Sequence, residues 1–325
     1  MEEKRKMAKI YDVISMGSAV IDAFLDLGVE EKDGMISFPV GTKVKINGLN
    51  FSIGGGGTNS STCFSMMGLK AGLIAKIGKG YNGQKILNEL KKNKIDFLGI
   101  QENGRTGYSA ILESAQRNRT ILTFKGANDN IKFSEINLDK LKTRWLYFTS
   151  MADESFKSQV KIAEYAKKNG IKIAFNPSSY QTKKGVELLM PILKNIEFLC
   201  LNKEEARMLV KEGSMFKGLK KLGPEIICIT DGEKEGAVYD GKYLYKYWPK
   251  KVKVVEPTGA GDAFGSSMVA GLMRLNDIEE ALKVAMTNAA SLIQQKGAHT
   301  GLLHWNEIIK KIKKEKFKIE KIEFN

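Results

Sequence analysis

Short apolar runs of β character alternate with longer helical segments along most of this chain, and that rhythm restricts the fold more than any other feature. Candidate strands fall at 12–16, 72–77, 145–148, 171–175, 198–201 and 225–230, and candidate helices at 58–67, 84–92, 156–168, 203–209, 263–274 and 278–295. A parallel pair of strands needs a connection that crosses one face of the sheet, and a helix both makes that crossing and covers the face. The expectation is an α/β fold, doubly wound, with a mainly parallel sheet and helices on both faces. Two stretches break the rhythm, at about 31–51 and 105–125. They carry alternating residues without helical spacing and read as a small antiparallel sheet outside the main one. No repeat or low-complexity linker divides the 325 residues, so 1–325 is read as one domain with these two stretches inserted.

Composition removes several function classes. Hydrophobic residues make up 42% of the chain, an ordinary share for a globular protein. No apolar run approaches the roughly 20 residues of a membrane span. The opening MEEKRKMAKI lacks the apolar core of a secretory signal. Cys63, Cys200 and Cys228 lie far apart without metal-ligand spacing and read as buried thiols of a reducing cytoplasm. With only His299 and His304, both expected at surface or loop positions, a histidine zinc site or a Ser-His-Asp triad is poorly supplied. The net charge of +15 comes mostly from lysines interleaved with glutamates, and only 310–321 is dense. No recognition motif accompanies that patch, so it reads as a solvated helix face, and neither a nucleic-acid nor a membrane partner is expected.

The nonapeptide Glu256-Pro257-Thr258-Gly259-Ala260-Gly261-Asp262-Ala263-Phe264 carries the strongest chemical signal. Glycines flank a small residue just before an apolar helical pattern, which suits a turn that aims N–H groups into one pocket at a helix N-terminus. The helix dipole adds positive potential there. Asp262 follows directly, and a carboxylate base beside an anion cradle is what phosphoryl transfer to a hydroxyl needs. A plain N-cap aspartate is the competing reading.

Other motifs stand in a fixed order around it. Gly54-Gly55-Gly56-Gly57-Thr58-Asn59 is a second glycine turn; four glycines exceed what a helix cap needs, and Asn59 offers a ligand both donor and acceptor. Asn202 and Glu205 share one face of a first helical turn and fit a capping box and a water-linked magnesium site equally well. Thr230-Asp231-Gly232 closes the next strand, where ligands collect in open α/β sheets. Gly78 to Gly83 matches G-x-G-x-x-G, but a long segment and another glycine turn precede it, so a dinucleotide site is not expected.

These four ordered motifs resemble those of the ribokinase/PfkB carbohydrate-kinase family, over about residues 17–301. The resemblance implies a ribokinase-like fold whose extra strands form a β-lid over a sugar site. It implies ATP and magnesium as cofactors, with potassium as a further activator in many members. It makes Asp262 the catalytic base, with Gly259, Ala260 and Gly261 as the anion hole. It puts Asp22, Gly54, Gly55 and Asn59 around the acceptor, and Asn202, Thr230, Gly232 and Asn288 around the nucleotide. Glu205 would reach magnesium through water, and Glu256, with the loop 297–301, would face potassium. A cytoplasmic enzyme acting on a sugar or nucleoside follows, with room for a homodimer through the lid. The chain departs from the family pattern at Val20, where ribokinases carry Asn, and at Gly80, where Asp is usual. It departs again at Gly236, one residue late, and at Glu256, which stands for Asp.

The expected reaction is transfer of the ATP γ-phosphoryl group to a primary hydroxyl of a sugar. A nucleoside kinase with Phe38, Phe51 or residues 175–180 stacking on the base is the second reading. A sugar-phosphate kinase using Lys43, Lys45 or Arg105 is the third. A non-catalytic sugar-binding protein has no use for the base at Asp262.

Overall fold

The computed structural model describes residues 10–324. Its first half runs β1 (Tyr11–Met16), β2 (Val20–Asp26), β3 (Gly48–Gly54), α1 (Gly56–Met66), β4 (Ala71–Ile74), β5 (Lys76–Gly78), α2 (Tyr81–Lys92), β6 (Asp96–Phe97), β7 (Ile100–Glu102), β8 (Gly107–Glu113), β9 (Arg119–Phe124) and β10 (Thr143–Thr149). The second half runs α3 (Asp153–Lys168), β11 (Lys172–Asn176), α4 (Ser179–Thr182), α5 (Val186–Leu193), β12 (Phe198–Asn202), α6 (Lys203–Leu209), α7 (Met215–Lys221), β13 (Ile226–Thr230), β14 (Gly236–Tyr239), β15 (Tyr243–Trp248), α8 (Ala260–Leu275), α9 (Ile278–Leu292), α10 (Trp305–Ile312) and β16 (Lys318–Glu323).

Ten strands form the central sheet in the order β16-β15-β14-β13-β12-β11-β10-β1-β4-β6. From β13 to β6 every pairing is parallel, whereas β14, β15 and β16 add an antiparallel edge. The central strands are apolar and buried on both faces, as parallel strands under helices must be. Two apolar clusters result. One gathers α1, α8 and α9 on one face, through residues such as Phe64, Met268 and Leu282; the other gathers α3, α5 and α6 on the opposite face, through Ile162, Leu189 and Ala206. The order of strands reverses between β1 and β10, and a crevice at the carboxyl ends of such strands is where an open α/β sheet takes a ligand.

The lid is a four-stranded sheet, β3-β2-β8-β9. It differs from the antiparallel sheet expected at 31–51 and 105–125. The β2–β8 pair is parallel, and β2 lies before the first of those stretches. Within 31–51 the lid takes β3 alone, and residues 36–47 form no strand. Their alternating residues find no partner strand, and Val40 and Val44 are exposed. The run expected as one strand at 72–77 divides at Ala75, where β4 stays in the central sheet and β5 pairs with β7. The lysine-dense tail, read as a helix face, is the end of α10 followed by edge strand β16, whose lysines discourage further strand pairing. No helix among the described residues is long and apolar enough to cross a membrane.

Candidate active site

The glycine turn seats the site at the sheet's switch point. β1 ends at Met16, and the Ser18 carbonyl accepts the Gly57 N–H at 2.9 Å. Gly55 takes φ 97° and starts α1; a β-carbon there would lie 2.5 Å from the Ser18 carbonyl oxygen. Four glycines are used because the turn presses on its own chain, on Asp22 at Gly54, Thr149 at Gly56 and Gly17 at Gly57. Asp22 is 5% exposed, with its carboxylate over Gly54. Burial raises its carboxyl above the aspartate range, while a hydrogen bond with Ser109 and the charge of Lys125 pull it back.

The turn also starts the helix that presents Asn59 to Asp262. The Asn59 Nδ2 donates to Asp262 Oδ2 at 2.8 Å, and its Oδ1 meets His299 Nε2 at 2.9 Å. Protein surrounds Asp262, yet an edge of the residue stays open to the crevice. Burial raises its carboxyl, and the Asn59 bond partly offsets that. Gly259, at φ 81°, turns the chain into α8. The Ala260 N–H goes to the Pro257 carbonyl and that of Ala263 to the Gly259 carbonyl, which leaves the N–H groups of Gly261 and Asp262 without an acceptor among the described residues. A β-carbon at Gly261 would meet nothing within 4 Å, so this backbone faces open space. Two free donors at a helix N-terminus beside a carboxylate form an anion site next to a base.

Asn202 and Thr230 are register partners at the carboxyl edge of β12 and β13, and Gly232 turns the chain just beyond at φ 59°. Asn202 and Glu205 form a capping box: the Asn202 Oδ1 accepts from the Glu205 N–H at 2.8 Å, and a Glu205 oxygen accepts from the Asn202 N–H at 3.0 Å. The second Glu205 oxygen accepts from Ser179 at 3.0 Å, and burial raises this carboxyl. The structure does not bring Asn288 to the crevice. It is fully buried, donating to Ser267 at 2.9 Å and accepting from the Leu303 N–H at 2.9 Å. Its neighbour Thr287 instead lines a cavity of about 540 Å³ with Trp248 and Lys250, and the Thr287 hydroxyl has no partner among the described residues. Glu256 is buried against Arg119 of the lid.

Sequence reasoning missed His299, Arg119, Ser109 and Lys125. His299 sits in a loop, as expected, but inside the site, where burial pushes its imidazole down to about 4. Arg119 and Ser109 stand on lid strands and Lys125 directly follows β9, and only the fold brings them over the crevice. Arg105 lines a cavity of about 510 Å³ with Tyr108 and Phe124. Tyr108 and Phe124 are register partners one residue from the Ser109–Thr123 pair, so this cavity lies on the opposite lid face from Asp22. Phe51, opposite Ala23, points to that same far face, and Phe175 is core.

A model of the pfkB family of carbohydrate kinases matches residues 12–305. An uncharacterized sugar kinase of Archaeoglobus fulgidus is 30% identical over 247 residues, covering 73% of this chain and 97% of its own. The ribokinase of Lactococcus lactis is 26% identical over 263 residues, or 80% of this chain and 85% of its own. The crystal structure of a nucleoside kinase from Methanocaldococcus jannaschii has the same fold, with a TM-score of 0.78 at 21% identity over 95% of this chain and 100% of that one. The chain belongs to the pfkB family of carbohydrate kinases and is a phosphotransferase with an alcohol group as acceptor.

Proposed function

We propose that this kinase transfers the γ-phosphoryl group of ATP to a primary hydroxyl of a neutral sugar, as a single catalytic domain. The observation that carries the proposal is the Asp262 carboxylate, held by Asn59 beside the free N–H groups of Gly261 and Asp262. Asp262 takes the hydroxyl proton as the acceptor oxygen bonds to the γ-phosphorus, and ADP leaves with the electron pair of the broken P–O bond. The Gly259–Gly261 turn stabilises charge on the transferring group. Asp22 and Asn59 hold vicinal hydroxyls of the acceptor.

Thr230, Gly232 and Asn202 line the path of the phosphates, and the base enters the cavity between Trp248 and Thr287. Asn202 and Glu205 fit a water-linked magnesium ion better than a directly ligated one. Both Glu205 oxygens already accept hydrogen bonds, and no group of three His, Cys, Asp or Glu side chains comes together for a metal among the described residues. Magnesium, when bound, offsets the phosphate charge.

A nucleoside is the second reading, favoured by Phe24, which shares the lid face of Asp22 two residues along β2. The third is a sugar phosphate, met by Lys125. The far lid face exposes Leu49, Phe51, Leu122 and Phe124, which supports a homodimer through the lid. The enzyme is assigned to the cytoplasm on its three free, buried cysteines. Steady-state assays on ribose, fructose, adenosine, cytidine and fructose 6-phosphate, with coupled ADP detection, test the ranking. A kcat/KM for the sugar phosphate well above every neutral acceptor would overturn it and move attention to Lys125.

A further inference from the structure

Glu256 immediately precedes the anion-hole turn and is 3% exposed. A carboxylate so buried needs a compensating charge close by. That charge comes from Arg119, at the tip of the β8–β9 hairpin. The Arg119 Nη1 donates to Glu256 Oε1, and also to the Thr258 hydroxyl at 3.3 Å. Its Nη2 donates to Glu113, its cross-strand partner, at 3.2 Å. The same Glu256 oxygen accepts from the Thr258 hydroxyl at 2.6 Å and from the Thr258 N–H at 3.2 Å. One guanidinium therefore bridges two carboxylates, which its planar fork suits better than a point charge would.

A potassium ion is expected at Glu256 from the family resemblance, and these residues do not fit one. The oxygen that would face the ion already accepts three donors, two of them from the residue next to Gly259, and a guanidinium in the same place repels a cation. We propose that Arg119 is a built-in cation at Glu256, which positions the anion-hole turn without potassium. The lid supplies this cation, and register places Arg119, Glu113 and Ser109 on the lid face that also carries Asp22. Closure over the acceptor and order in the turn are then one event. The inference rests on the kinase reading only where it concerns turnover.

The test compares the full chain with Arg119→Ala and Arg119→Lys. Each is assayed with KCl and with tetramethylammonium chloride at equal ionic strength, and thermal denaturation is followed in the same two salts. In the native chain, replacing tetramethylammonium by potassium is expected to change neither kcat nor Tm. Arg119→Ala is expected to lose about tenfold to hundredfold in kcat, as for a displaced catalytic turn, and to regain part of it saturably with KCl. Its Tm should rise with KCl alone, and Arg119→Lys should lie between the two. A native enzyme that stops without potassium, or an Arg119→Ala variant whose Tm and kcat ignore it, overturns the proposal. If no acceptor is turned over, the kinase reading fails, while the Tm response still decides the role of Arg119.

Discussion

Replacing Asn59 by leucine removes the one side-chain donor to the Asp262 carboxylate among the described residues and keeps the branched shape and the number of side-chain heavy atoms. Asn59 is buried, and the bond is 2.8 Å long. A hydrogen bond to a charged group contributes about 1.5–3 kcal/mol net. An edge of Asp262 still reaches the crevice, so water replaces part of the bond and the lower end, about 1.5 kcal/mol, applies. The bond favours the ionised carboxylate, so its loss raises the Asp262 carboxyl further above the aspartate range. At 1.36 kcal/mol per pH unit, the acid limb of kcat/KM should move up by about one unit. The assay is kcat/KM for the best acceptor across the acid limb, with coupled ADP detection, for the native chain and Asn59→Leu. A uniform fall at every pH with the limb unmoved would refute the reasoning. It would mean that Asn59 serves the acceptor alone and does not set the protonation of Asp262.

Three further outcomes are expected. Asp22→Ala should raise the KM of the acceptor about tenfold or more, the loss of one charge-assisted hydrogen bond, and leave the KM of ATP nearly unchanged; equal effects on both would make Asp22 structural. His299 is pushed from 6.5 to about 4 by burial, so between those pH values the unfolded chain binds a proton that the folded chain does not. Stability should therefore fall by about 2–3 kcal/mol as pH drops through that window, and His299→Gln should flatten this part of the Tm–pH curve. Gly259→Ala forces a side chain into φ 81° with its β-carbon 3.1 Å from that of Ala298. It should cost about 1–2 kcal/mol in stability and lower kcat more than KM, and an unchanged kcat would dissociate the turn from the chemistry.

The central sheet was legible because its strands and helices are long enough to show their own periods, and α6 falls at 203–209 as expected. Asp262, Asn59 and Asp22 were legible because each stands in a local motif whose glycines or strand end mark it. The lid was harder to read. Its first strand, β2, follows β1 after a turn of three residues and looks like a continuation of one apolar run. The alternation at 35–47 promised strands, but alternation produces a strand only where a neighbour offers hydrogen bonds, and beyond the bridge at Met35 and one bond at Asn47 the backbone finds none among the described residues. Of the edge strands, β14 is only four residues long and β16 is mostly charged, so both carry weak signals. Arg119 and Glu256 are separated by 137 positions, and His299 and Asn59 by 240, so no window along the chain could pair them. Asn288 shows the reverse failure. Its place on α9 was read correctly, but one residue decides whether a helix side chain faces core or crevice, and Thr287 faces the cavity.

Asp262→Asn tests the central claim most directly, with turnover and ATP affinity measured on the same preparation. The amide keeps the size and the contact with Asn59 but cannot take a proton. The account predicts a kcat lower by about 10²–10⁴, as for loss of a general base, with the dissociation constant of ATP nearly unchanged. A kcat close to that of the native chain would contradict the assignment of Asp262 as the base.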